Sequence, residues 1–265
     1  MNKKMMQPFY LTSKSPWPLL SSFSLMNVMI SSLKWINNNN NMSLLVLIIN
    51  ILTLLLVMFQ WWRDVVREFT FLGVMTKYMY MNLRFGMILF IVSEVFFFVS
   101  FFWSYFHYAL APDIMIGMMW PPKGIKVFNP YDIPFLNSII LITSGLSITW
   151  SHYCLLNNNM KMSLNSLMFT IMLGIYFTFM QAYEYKEASF TICDSCYGSI
   201  FFMMTGFHGL HVIVGTLFLM VQMLRMYKNH FKSYCHLGFE SASWYWHFVD
   251  VVWLLLYINL YWWSY

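Results

Sequence analysis

Five ionisable side chains stand where an apolar chain would not be expected to keep them. Glu94 lies in Ile91-Val92-Ser93-Glu94-Val95-Phe96-Phe97-Phe98, ten residues past Arg84 and thirteen before His107. At about 1.5 Å per residue, the carboxyl sits near the middle of an apolar helix. A protonated acid there can store a proton or anchor beside a lipid pocket, or simply hydrogen-bond to a neighbouring helix. His208 and His211 lie in Gly206-Phe207-His208-Gly209-Leu210-His211. Their spacing of three puts both on one helix face, where two imidazoles can ligate a metal or haem. They can equally hydrogen-bond across helices, and Gly206 and Gly209 favour that reading by permitting close approach. His247 and Asp250, again three apart, form a pair that neutralises itself and so lowers the cost of burial. No nucleophile pattern such as G-x-S-x-G accompanies them, so hydrolysis is not indicated.

Two further strings carry potential chemistry. Gln60-Trp61-Trp62-Arg63-Asp64-Val65-Val66-Arg67-Glu68 places two aromatics before alternating charges. Trp anchors at headgroup level and Arg binds phosphate bidentately, so the segment suits an anionic phospholipid. An ordinary aromatic belt explains it too. Cys193-Asp194-Ser195-Cys196 is a lone C-x-x-C without the second pair or the βαβ context that a zinc or redox site needs, and reads as two thiols in a short loop.

The elements that must position these residues follow from composition. Of 265 residues only 9% are charged, against 60% hydrophobic and 21% aromatic. An average soluble domain carries about 25% charged residues. This chain could not cover a soluble surface, cannot be disordered, and has no basic patch on a polar domain for nucleic acid. It reads as an all-α membrane protein. A spanning helix needs about 20 apolar residues, and hydropathy gives seven: 17–35, 42–62, 82–108, 135–156, 163–183, 198–225 and 240–263, within a single polytopic domain, 1–265. The first ten residues lack a presequence pattern, so the first span is expected to act as the insertion signal. The longest link, Ala109–Pro134, carries five prolines and is expected to be an ordered surface loop. Asn37–Asn41 is a polar turn. Only five alanines occur, although membrane helices usually use small residues where they touch.

Lys and Arg set the orientation. Lys3, Lys4, Lys14, Arg63, Arg67, Lys77, Arg84, Lys161, Arg225, Lys228 and Lys232 fall on one side, eleven against three on the other. The N-terminus therefore belongs on the positive side, the cytoplasm of a bacterium or the matrix of a mitochondrion. An odd number of spans puts the C-terminus opposite.

Together these strings resemble subunit III of mitochondrial cytochrome c oxidase. The resemblance runs through Ser15-Pro16-Trp17-Pro18-Leu19, Gln60 to Glu68, Arg84 to Phe97, Trp120-Pro121-Pro122, Ser147-Ile148-Thr149-Trp150 and Gln181-Ala182-Tyr183-Glu184-Tyr185. It ends with Gly206 to His211 and Trp244 to Trp253, closing in Tyr261-Trp262-Trp263. It implies seven helices in two lobes, the first two standing apart from the other five across a V-shaped cleft filled with phospholipid. It implies no haem and no copper in this chain, since those belong to partner subunits. It implies packing on subunit I, with subunit II and accessory subunits nearby, in the mitochondrial inner membrane, and support for proton uptake. Glu94 matches the family's carbodiimide-reactive carboxyl. Trp62, Arg67, Glu68, His211 and Arg225 match positions near the lipid cleft. His208, His247 and Asp250 are then intramembrane polar packing, with no catalytic residue and no metal in this chain. Cys193 and Cys196 match no family motif. The competing readings are a stand-alone transporter, which needs broken helices and inverted repeats that the two halves do not display, and a haem or metal enzyme built on His208, His211 and His247.

Overall fold

A computed structural model describes residues 14–71 and 76–265. Lys3 and Lys4, which entered the charge count, lie outside the described residues. Seven α-helices occur among the described residues: α1 (Trp17–Asn38), α2 (Asn41–Thr70), α3 (Lys77–Leu110), α4 (Ile133–Leu156), α5 (Met160–Glu187), α6 (Ser195–Tyr227) and α7 (Leu237–Leu256), the last continued by a π-helical segment at Tyr257–Trp262. All but α7 are longer than the stretches that hydropathy reads, α2, α3, α5 and α6 most. Hydropathy registers only the apolar stretch, whereas backbone hydrogen bonding continues through polar turns at the ends. Among the described residues, α1 to α6 are long and apolar enough to cross a membrane. The shorter α7 carries Glu240, His247 and Asp250 in its 20 residues.

The chain divides into two compact units, Met1–Asn82 and Leu83–Tyr265. In the first, α1 packs on α2, with Ser24, Ser31 and Ser43 buried where the helices touch. Asn39 ends α1 in the left-handed conformation (φ 47°), its N–H donating to the Trp35 carbonyl. Asn tolerates that conformation better than most residues, so the Asn run is the turn that reverses the chain. Trp17 Nε1 donates to Asp64 Oδ2 at 2.8 Å, and Arg63 donates to Asp64 Oδ1 at 3.0 Å. The Trp–Asp contact ties the start of α1 to the far part of α2.

In the second unit, α4 to α7 form the core. Serine and glycine supply several of its close contacts, alongside the buried Ala242 of α7. Ser151 Oγ donates to the Ser163 carbonyl at 2.8 Å and Ser163 Oγ to the Ser151 carbonyl at 2.9 Å, while Ser147 and Thr170 share a hydrogen bond of 2.7 Å. These join α4 to α5. From α7, Trp246 Nε1 donates to Ser144 Oγ at 2.9 Å and Trp253 Nε1 to Ser138 Oγ at 3.0 Å, both on α4. Both indoles are fully buried, and a buried indole N–H needs an acceptor. Ser144→Ala should therefore lower the stability of the folded chain by about 1 kcal/mol, the scale of interhelical hydrogen bonds in membranes. A thermal unfolding series comparing Ser144→Ala with the exposed Ser93→Ala checks this, since Ser93 bonds only within its own helix.

The proline-bearing link is ordered. A short 3-10 turn at Ile114–Ile116 is capped by Asp113, which accepts from the Met115 N–H. Trp120 packs edge-on to Tyr105 and Tyr197, and Tyr257 Oη donates to the Pro130 carbonyl. Pro134 belongs not to the loop but to the first turn of α4, where its missing N–H costs nothing.

Candidate functional site

The ionisable residues of the second unit are set by α3, α6 and α7. Glu94 is 17 residues from the start of α3 and 16 from its end. Its Oε2 lies 2.9 Å from His211 Nε2 of α6. The other ring nitrogen of His211, Nδ1, donates to the Phe207 carbonyl one turn back at 2.6 Å. With Nδ1 thus protonated, the 2.9 Å contact is held by a single proton, carried on Glu94 or on His211. Aromatic rings surround the pair: Phe98 meets His211 edge-on at 5.1 Å, Phe97 meets Phe207 at 5.1 Å, and Tyr245 of α7 stacks on the imidazole at 6.3 Å. The carboxyl is not sealed, since the Glu94 side chain keeps 25% of its exposure against 12% for His211. A proton shared between two groups in an apolar wall, with one of them open, is an arrangement that can hold or exchange a proton.

The three histidines of the alternative metal reading do not converge. His208, almost fully buried, has its Nε2 3.2 Å from the Val249 carbonyl of α7, between the rings of Phe177 and Trp253. This contact links α6 to α7. His211 turns to Glu94. His247 faces Asp250, its Nδ1 3.7 Å from Asp250 Oδ2, too long for a hydrogen bond. Asp250 is buried against Gly145 of α4, where an added Cβ would lie 2.8 Å from Oδ2.

The role assigned to Gly206 and Gly209 needs correction. A Cβ at Gly209 would meet nothing within 4 Å, and one at Gly206 only the Tyr185 hydroxyl at 4.0 Å. Close approaches occur instead at other glycines, among them Gly174 of α5 and Gly215 of α6, which flank Trp246. A Cβ at Gly174 would be 2.7 Å from the indole and one at Gly215 2.9 Å. At Gly215 the bulk of Trp246 dictates glycine, and at Gly174 the indole does so together with Thr216 Cγ2 of α6, 2.5 Å from the added Cβ.

Comparison with known proteins decides the family. The family model for cytochrome c oxidase subunit III matches residues 7–265. The chain belongs to the cytochrome c oxidase subunit III family. Proteins named cytochrome c oxidase subunit 3 are similar along nearly their whole length. That of Drosophila melanogaster is 55% identical over 97% of both chains, that of Locusta migratoria 54% over 97% of both, and that of Aedes aegypti 53% over 97% of both.

Of the residues that the resemblance to cytochrome c oxidase subunit III assigns to lipid, Trp62 and Arg67 are exposed near the end of α2 and Glu68 is half-buried. Arg225, in the last turn of α6, lies over the Phe231 ring at 4.6 Å, with Nη1 donating to Gln222 Oε1 at 3.2 Å. Both ring nitrogens of His211 are engaged within the chain, which leaves its ring carbons as the part for any acyl contact. The C-x-x-C thiols are free, and Cys196 lies in the first turn of α6 rather than in a loop.

Sequence reasoning missed two groups. Glu184 falls just past the expected fifth span, 163–183, but α5 runs on to Glu187 and Glu184 is almost completely buried. It lines a cavity of about 170 Å³ with Asp132 and Glu187. The second group is His152, His236 and Glu240, whose ligand atoms all lie within 4.8 Å of one another. His236 and Glu240 are one helical turn apart, but His152 is 84 residues away, and no spacing rule joins it to them.

Proposed function

We propose that this chain is the third, non-redox core subunit of cytochrome c oxidase, respiratory complex IV, in the mitochondrial inner membrane. The reduction of oxygen to water by cytochrome c, coupled to proton pumping, takes place at haem and copper in partner subunits. This chain stabilises subunit I, holds phospholipid and supports proton uptake. The Glu94–His211 pair halfway along α3 carries this reading. Its neighbours are the Phe207 carbonyl and aromatic rings, which suits a supporting role better than a catalytic one.

All seven helices cross the membrane in this reading, α7 together with its π-helical continuation. The N-terminus is in the matrix, as the charge asymmetry favours, and the C-terminus is in the intermembrane space. The first two helices form one lobe and the other five a second, with phospholipid in the cleft between them. Trp62, Arg67, Glu68, His211 and Arg225 contact it, with Arg67 and Arg225 suited to the headgroup phosphate. A high-resolution map of the whole oxidase should contain an ordered phospholipid between the second and third helices at the level of Arg67 and Arg225. Protein or water alone at that position would refute the assignment. The functional test is loss of the subunit. Oxidase stripped of this chain should still transfer electrons at first but inactivate sooner during turnover, whereas a stoichiometric haem or copper in the isolated chain would overturn the reading.

A further inference from the structure

We infer that His152, His236 and Glu240 form a binding site for a single divalent transition ion of the zinc class, distinct from the histidines weighed above. His152 lies in the last turns of α4, His236 caps α7, and Glu240 is in the first turn of α7. His152 Nε2 and His236 Nε2 are 3.2 Å apart, and His236 Nε2 is 3.3 Å from Glu240 Oε1. A tetrahedral ion with bonds of about 2.0–2.1 Å separates neighbouring ligand atoms by about 3.3 Å. Two of the three edges therefore already have the length that the ion requires. The third edge is within 4.8 Å, and His152, the least buried of the three, is the ligand that would turn to shorten it.

The surroundings orient these donors as a metal site needs. His236 Nδ1 donates to the Lys232 carbonyl at 3.1 Å, so its Nε2 carries the lone pair. Arg84 holds the other carboxylate oxygen, Oε2, through Nε and Nη2, each at 2.9 Å, which turns Oε1 toward the imidazoles. The His152 ring rests against Phe239 at 5.6 Å. His236 and Glu240 are buried, and the exposed side of His152 leaves room for water as a fourth ligand. Two imidazoles and one carboxylate suit Zn²⁺ and its relatives, whereas calcium and magnesium prefer oxygen throughout. The Arg84 guanidinium opposes a second cation, so the ion is exchangeable rather than permanent. Without the ion, a His–His hydrogen bond occupies the same space. With it, the end of α4 and the start of α7 are cross-linked, and Arg84 connects α3 to the same point.

The test uses the assembled oxidase containing this chain, freed of loosely held metal by chelator and then equilibrated with Zn²⁺ or Cd²⁺. A density map, with anomalous scattering at the zinc edge, should show a peak about 2 Å from both Nε2 atoms and Glu240 Oε1. Metal analysis should find one exchangeable ion fewer per complex in His152→Ala, and the same in His152→Gln, with the subunit still present. No peak at the cluster in zinc-equilibrated native oxidase overturns the proposal, whatever the variants do. An unchanged metal content in a His152→Ala complex that retains the subunit overturns it as well.

Discussion

Gly174→Leu should abolish incorporation of this chain into the oxidase. A Cβ alone at position 174 would fall 2.5 Å from Thr216 Cγ2 and 2.7 Å from Trp246 Cη2, both well inside van der Waals contact. Trp246 has no room to retreat. Trp246 is fully buried, is pinned by its hydrogen bond to Ser144, and has Gly215 on its other side. Overpacking by one or two carbons in a core typically costs about 1–3 kcal/mol, so Gly174→Ala should already lower the unfolding midpoint. Leucine adds three further carbons to the same space and should exceed the stability margin. Gly209→Ala is the control, since its Cβ meets nothing within 4 Å. The chain's own fold should tolerate it. Trp246→Phe tests the cause. It removes the benzo edge that a 174 side chain strikes, so the pair Gly174→Ala with Trp246→Phe should be less destabilised than the sum of the single changes, a coupling detectable at about 0.5 kcal/mol or more. Strict additivity would mean that the glycine is required for something other than the indole.

Glu94→Gln should eliminate carbodiimide labelling at this position while leaving the initial rate of electron transfer largely intact. A carbodiimide adds to a protonated carboxyl, and the amide offers none. Glutamine keeps the shape of the contact, because its N–H₂ can donate to the His211 Nε2 that now lies 2.9 Å from Oε2. The fold should therefore survive. What disappears is the ability to pass a proton, so the oxidase should lose turnover sooner, most visibly over many catalytic cycles. His211→Leu removes the partner instead. Labelling should then persist on Glu94, while the durability of turnover falls as in Glu94→Gln. If oxygen reduction stopped at once in Glu94→Gln with subunit I intact, a supporting role would be wrong. If both variants sustained turnover like the native enzyme, the pair would be only a brace between α3 and α6.

Much of this was legible in the chain alone, for a physical reason. Lipid as solvent forces runs of apolar residues with internally satisfied backbone, so the seven helices, the proline-bearing link and the asparagine turn were visible without coordinates. The exceptional residues were visible too, because an ionisable group in an apolar run is conspicuous. Glu94, His208 and His211 each turned out to have a partner on another helix. Partners were not legible. The Glu94–His211 contact spans 117 residues and the Trp246–Ser144 contact 102, and no local periodicity encodes such separations. Helix facing also went unread at Gly206 and Gly209, because a glycine in a helix shows that close approach is permitted and not that it occurs.

The amino-acid sequence by itself determined the solvent, the helices, the family and the few polar side chains that had to be accounted for. Only the tertiary structure decided which of them meet. It set His211 rather than His208 against Glu94 and lodged Trp246 between two glycines. It also gathered His152, His236 and Glu240, three residues that nothing in the sequence singled out. Helices form from local hydrogen bonds that sequence periodicity reports, whereas a site forms where side chains from distant helices share one small volume, and that depends on how the helices pack.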